Sequence, residues 1–337
     1  MKNNLFKNYL VAFTACALSL PLAAVAQTTV FNDTFGSGST AQSATPASPT
    51  ATSTAYEYFQ QGGNPVTPTL AVGDLHLAGR TTSSSISEVQ ALFTTTPVTL
   101  STVGDWIDLT VVFTDTQNIF PAASASTLNI GLFNSGGSLP VQGVRLDSTG
   151  SGTGGAVGWT GYIGRIGGTG SSSPIFTRAP QGAGLTNPNQ SQDVLFNGAS
   201  GSSTYNNPAG TTLGTTTPVF SAGLTASSTY TLDYQISLSA ANTLMISNAL
   251  YSGSSVAGTA LYNEIATASG ATYLTGSFDA LGLGWRFNST SAANSIDVSS
   301  ITVADSIQTI PEPGILALLG SGAAFAAVVF RRRQARR

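Results

Sequence analysis

Tyr230-Thr231-Leu232-Asp233-Tyr234-Gln235-Ile236-Ser237-Leu238 decides the fold class of this chain. Tyr230, Leu232, Tyr234, Ile236 and Leu238 alternate with Thr231, Asp233, Gln235 and Ser237. Successive side chains of a strand point to opposite faces, so this period of two puts one row into a core and leaves the other to solvent or a ligand. Few helices would carry such a pattern.

The same logic extends outward along the chain. Ile107, Leu109, Val111 and Phe113 form an inward row, with Trp106, Asp108 and Thr110 on the opposite face. Further strands are expected at residues 128–133, 142–146, 243–250, 272–278, 281–287 and 295–303, with Gly, Asn, Ser and Pro clusters supplying the turns between them. No stretch of the body combines a sustained 3.6-residue period with caps; the best helical candidates, 86–93 and 262–267, are short. The expected architecture is all-β, an antiparallel β-sandwich.

Only 8% of residues are charged while 41% are hydrophobic, which argues against simple disorder, where low hydrophobicity accompanies high net charge. Residues 36–54 and 198–217 are of low complexity; the first reads as a linker after an opening strand and the second as a long surface loop.

Both ends read as signals. Lys2 and Lys7 precede an apolar stretch over residues 9–20, and Ala24-Val25-Ala26 offers an A-x-A cleavage site before Gln27, so residues 1–26 read as a secretory signal peptide cut by signal peptidase. The only cysteine, Cys16, lies inside it, and Phe13-Thr14-Ala15 lacks the aliphatic residue of a lipoprotein signal. The mature chain is therefore expected to hold no disulfide, thiolate metal site or cysteine nucleophile. At the other end, Pro311-Glu312-Pro313 precedes the uncharged residues 314–330, which as a transmembrane helix span roughly 25 Å at ~1.5 Å per residue. Arg331, Arg332, Arg333, Arg336 and Arg337 follow, and basic residues beside a span stay cytoplasmic, leaving residues 27–310 exported. The two prolines keep the junction extended and open to an enzyme.

Triplet, short span and terminal arginines together resemble the PEP-CTERM sorting signal of Gram-negative bacteria. The resemblance covers residues 311–337 and implies recognition of Pro311, Glu312 and Pro313 by exosortase, a transpeptidase-like membrane protease. It also implies a transient inner-membrane anchor, delivery to the cell surface or matrix, and association with exopolysaccharide and biofilm. Val30-Phe31-Asn32-Asp33-Thr34-Phe35, Asn129-Ile130-Gly131-Leu132-Phe133-Asn134-Ser135 and Ile296-Asp297-Val298 resemble pieces of concanavalin A-like, laminin-G-like jelly rolls. That resemblance implies a jelly-roll sandwich.

Between the signals stand five arginines, no lysine and fourteen of the fifteen carboxylates, a net charge of −9 that makes nucleic acid and anionic membrane surfaces poor partners. His76 is the only histidine; within Asp74-Leu75-His76 it shares an outward face with Asp74, and no G-x-S-x-G stands nearby, so an exposed, non-catalytic role is expected. One histidine without cysteine suits zinc poorly. Calcium prefers oxygen ligands, which this body could provide, yet no D-x-[DN]-x-[DN]-G loop is present, so no cofactor is assigned and a calcium site stays open without an address.

Asp105 and Asp108 lie three apart, on opposite faces of a regular strand; the E-x-D-x-x-E signature of one hydrolase family is absent, and Glu57, Glu88 and Glu264 are dispersed. Gly150-Ser151-Gly152-Thr153-Gly154-Gly155 matches G-x-G-x-x-G without the helix that motif requires, and reads as a glycine-rich loop or hairpin. Trp159, Tyr162 and Trp285, the last beside Arg286, are the candidate glycan contacts if exposed, because sugar rings stack on aromatic faces; their other expected place is the core.

These readings converge on an exported, non-enzymatic protein with a structural or adhesive role and polysaccharide contact. A glycoside hydrolase or polysaccharide lyase on the same fold is the alternative, requiring two carboxyls gathered in one cleft. A third reading is a filler protein that self-associates at sheet edges, which few lysines protect.

Overall fold

The computed structural model describes residues 27–36, 57–61, 68–78, 85–116, 127–138, 156, 158–167, 174–180, 194–196, 211–213, 223–287 and 295–307. They form an antiparallel β-sandwich of two sheets packed around one main core. The first sheet contains β1 (Thr28–Asp33), β3 (Thr69–Ala71), β4 (Asp74–Ala78), β7 (Trp106–Asp115), β12 (Ser228–Ala240), β13 (Thr243–Ser252), β14 (Tyr262–Ser269) and β17 (Ser295–Ser306). Its order is β14-β13-β12-β7-β17-β4-β3, and β17 pairs with β4 through Ser295–Val298 and with β1 through residues 301–305.

The second sheet runs β11 (Thr212–Leu213), β10 (Ile175–Arg178), β9 (Thr160–Gly167), β8 (Thr127–Asn134), β16 (Ala280–Phe287), β5 (Ser85–Leu92) and β2 (Glu57–Gln61). A small ribbon pairs β6 (Val98–Thr99) with β15 (Ser277–Phe278).

Alternation explains the first sheet. β7 buries every second residue, and its Leu109 and Val111 stand opposite Tyr234 and Leu232 of β12. Val89, Leu128, Ile130, Leu132, Leu283 and Trp285 close the core from the second sheet. Full burial of each such side chain stabilises by about 1.5–3 kcal/mol relative to exposure.

Most expected strands appear, several one or two residues longer. Residues 272–278 are the exception, forming the end of a 3-10 turn (Gly270–Thr272), an irregular bend, and β15 alone. Both helical candidates are strands, β5 and β14. Residues 142–146, both terminal signals and nearly all of the low-complexity segments lie outside the described residues.

Candidate functional site

The two sheets offer different outer surfaces, and only one is open. On the second sheet Glu88, Gly284, Asn129 and Arg165 line up across β5, β16, β8 and β9, and the next row is Gln90, Gly282, Gly131, Ile163 and Phe176. Val194, Leu195 and Phe196 lie on this glycine floor: a Cβ on Gly282 would meet Val194 at 3.1 Å and Leu195 at 3.3 Å, and one on Gly284 would meet Phe196 at 3.0 Å. The two glycines make room for the strap.

Side chains from the sheet hold the strap by its backbone. Val194 and Leu195 amides donate to the two Glu88 carboxylate oxygens at 3.0 and 3.2 Å, Asn129 Nδ2 donates to the Leu195 carbonyl at 2.6 Å, and Gln90 Nε2 donates to Glu88. Beside it, Arg178 donates to the carbonyls of Trp159 and, at 2.9 Å, Ala156. Phe133, Trp159, Ile163, Phe176 and the strap together form a second apolar cluster. A general acid or nucleophile must aim at a substrate, and both Glu88 oxygens aim at the chain's own amides.

This burial corrects the three candidate glycan contacts. Trp159 is 0% exposed, its ring centroid 5.7 Å from that of Phe133 at a tilt of 38°, with its indole donating to the Ser138 carbonyl at 3.1 Å. Tyr162 is 0% exposed and faces the main core; its hydroxyl accepts from Leu274 N at 2.8 Å, and burial pushes its pKa up to about 12. Trp285, at 1%, is also in the main core. None presents a ring to a sugar.

The outer face of the first sheet is open. β7 turns Trp106, Asp108, Thr110, Val112 and Thr114 toward it, all part-exposed, and β12 adds Asp233, Gln235 and Ser237. Asp108 lies opposite Gln235 and Thr110 opposite Asp233, which makes the two aspartates diagonal neighbours whose carboxyls meet. Burial first, then the facing Asp233 charge, push Asp108 up to about 8; burial also raises Asp233. Thr110 Oγ1 donates to Asp108 Oδ2 at 3.1 Å, while Asp108 Oδ1 finds no donor among the described residues. Two ionised carboxylates only accept, so the contact with Asp233 is satisfied when one of the two holds a proton. Burial first, then the nearby Asp233 and Asp108 carboxyls, raise the pKa of Tyr251, part-exposed on β13. The pair escaped sequence reading although both members sit on the polar rows of the two clearest strands.

His76 is also on this face, but its partner is Asp297 of β17 rather than Asp74: Nδ1 lies 2.5 Å from Asp297 Oδ1. Asp74 is raised by burial and by Asp297, with His76 opposing. One polar row runs inward instead: Tyr234, Asn248 and Glu264 stand opposite one another across β12, β13 and β14. Burial pushes Glu264 up to about 7 against a 3.0 Å bond from the Tyr262 hydroxyl and the attraction of Arg165.

Among the described residues there is no group of three or more His, Cys, Asp or Glu that could hold a metal ion, and no helix long and apolar enough to cross a membrane. Ala24, Ala26, Pro311, Glu312, Pro313 and Arg331, Arg332 and Arg333 lie outside those residues; Gln27 is exposed just before β1.

Residues 309–333 match the PEP-CTERM protein-sorting motif, which implies an exported chain and processing by exosortase. No curated protein matches the chain. Among solved structures, basic winged bean lectin with Tn-antigen is similar at 10% identity, covering 84% of this chain and 100% of the lectin with a TM-score of 0.40. The CBM2 module of Lactobacillus casei BL23 phage J-1 evolved Dit is similar at 7% identity over 84% of this chain and 98% of the module, TM-score 0.40. A protein of unknown function from Shewanella oneidensis MR-1 reaches 15% identity over 88% and 94%, TM-score 0.36. At these identities and TM-scores the likenesses assign neither a superfamily nor a ligand.

Proposed function

We propose that this is a non-enzymatic protein of the cell surface or extracellular matrix of a Gram-negative bacterium, sorted through its tail, with a structural or adhesive role beside exopolysaccharide. The sorting motif at residues 309–333, joined to a β-sandwich body, carries this reading. Signal peptidase cuts after Ala26, residues 314–330 hold the chain in the inner membrane as a helix, and exosortase acts at Pro311-Glu312-Pro313. Glycan contact falls to the open face, where Trp106 and Tyr251 offer rings and Asp233 and Gln235 offer hydrogen-bonding groups.

For the hydrolase alternative, the two carboxyls that share a hydrogen bond among the described residues are Asp108 and Asp233, while Asp74 with Asp297 and Asp105 with Asp305 feel each other's charge only. Asp108 and Asp233 are in hydrogen-bond contact, whereas a retaining mechanism holds its two carboxyls roughly 5 Å apart with the sugar between them. That spacing favours the non-enzymatic reading.

The test is the intact mass and location of the protein in its host, with Glu312 intact or replaced by alanine. The expected result is loss of both terminal segments in the native chain and a retained tail in Glu312→Ala. A native chain that keeps its tail in the inner membrane overturns the sorting route. Loss of glycan-array binding in Trp106→Ala checks the open face, and unchanged binding removes that face from the proposal.

A further inference from the structure

Edge strands carry backbone groups able to pair with another chain, and folded proteins blunt them with brevity, bulges, proline or lysine. Among the described residues, three of the four ends of the two main strand orders are short, β3 with three residues, β11 with two and β2 with five, and β1, off that order on β17, has six residues and a register shift. The fourth, β14, has eight, in unbroken register with β13 from Thr243 opposite Ser269 to Leu250 opposite Tyr262. It contains no lysine, arginine or proline. Its outward row, Asn263, Ile265, Thr267 and Ser269, is uncharged, and Glu264 points inward and is buried. Ile265 is 57% exposed, and the exposed Met245 lies diagonally beside it on β13. No described strand pairs with the outer side of β14.

We propose that β14 is the docking edge for a second copy of this chain, the two β14 strands pairing antiparallel about a twofold axis at Ile265 so that the first sheet continues from one copy into the next. Charge selects this occupant. A body with five arginines and fourteen carboxylates repels its own copies wherever the carboxylates face out, and the uncharged β14 strip lets two copies meet without opposing like charges. The strip is also self-complementary, as a twofold interface requires: Ile265 meets its own counterpart, and Asn263 meets Thr267 of the partner subunit, amide against hydroxyl.

The inference goes beyond the sorting route and does not depend on it, because association is read in the body whether or not the tail is removed. The test places Ile265→Cys in the full chain, expressed in its host, and compares it with Val72→Cys, an 80% exposed position at the turn between β3 and β4, and with the native chain. Non-reducing electrophoresis is expected to show Ile265→Cys mostly as a species of twice the chain mass, with Val72→Cys and the native chain at single mass. Sedimentation of the purified protein is expected to give two copies for the native chain and one for Ile265→Lys, with unchanged circular dichroism. A native chain that sediments as one copy, equal crosslinking at positions 72 and 265, or a two-copy mass retained by Ile265→Lys overturns the proposal. So does Ile265→Cys crosslinked to a different protein, which would make the edge a site for a foreign strand.

Discussion

The first sheet has one face in the core and one in solvent; the second is buried on both faces through most of β8 and β9, through β10, and along residues 88–91 of β5 and 280–285 of β16. β7 and β14 alternate buried and part-exposed or exposed residues without interruption, whereas β8 is buried at seven consecutive positions and β9 likewise. Among the described residues, Val194, Leu195 and Phe196 and the turn at Trp159 lie over the second sheet and account for the difference. A sheet covered twice must satisfy polar groups on its outer side internally, as Glu88, Asn129 and Arg178 do by reading strap and turn backbone. An open sheet can leave the same task to water, and it is the open one that holds the titrating Asp108–Asp233 pair.

Substitutions can break this contrast, beginning with the glycine floor. A Cβ at position 161 of β9 would press on the Leu132 carbonyl and lie 2.8 Å from Phe133 Cα, both backbone of the adjacent strand. Gly161→Ala is expected to destabilise by about 3 kcal/mol, read as a lowered urea midpoint. A loss below about 1 kcal/mol would show that the covered sheet is loosely packed.

The strap is the next largest effect. Glu88→Gln replaces an acceptor of two amides with a group that can serve only one well, and is expected to cost about 2 kcal/mol. Hydrogen exchange at the Val194 and Leu195 amides is expected to speed up while exchange in β7 and β12 stays slow. Uniform acceleration across both sheets would deny the strap its own stability.

The open face is expected to carry the pH dependence. Asp108 has a folded pKa raised from 3.8 to about 8, so the folded protein holds a proton that the unfolded chain has released. Its stabilising contribution is complete below about pH 4 and is lost as pH rises through about 8. Glu264, raised from 4.5 to about 7, acts with the same sign over its own range. The urea midpoint of the native protein is therefore expected to fall from pH 4 to pH 8, less steeply in Asp108→Asn, and in Asp108→Asn/Glu264→Gln least of all. An unchanged slope in the double variant would place the titration elsewhere.

His76→Ala is expected to have the smallest effect, about 0.5 kcal/mol, because the His76–Asp297 pair is about one-third exposed on both sides. Thermal unfolding resolves it, and a cost several times larger would give that pair a structural role on the open face.

How far the sequence could be read follows the same division. β12 and β7 were legible because their inward rows are large and apolar and their outward rows polar. β14 was hidden because its inward row is Tyr262, Glu264, Ala266 and Ala268, while its largest aliphatic side chain, Ile265, points outward. β5 was hidden for the opposite reason: Val89 and Ala91 face the core while Glu88 and Gln90 are buried beneath the strap, and a strand covered on both sides does not alternate. Trp159, with glycines around it, could be read as exposed or as core, and Arg178 and Phe133 decide for the core. The one local sign of the strap was three consecutive apolar residues, Val194-Leu195-Phe196, in a polar stretch.

By itself the sequence determined the all-β class, the strands with a solvent face, the acidic balance of the body and the sorting motif near its end, since each is written in local periodicity or contiguous residues. Only the tertiary structure decided which tryptophans are buried, which carboxyls meet, which aspartate His76 finds and which edge stays long. Those contacts join residues far apart in the chain, and pairing across strands and between sheets leaves no periodic trace in either partner.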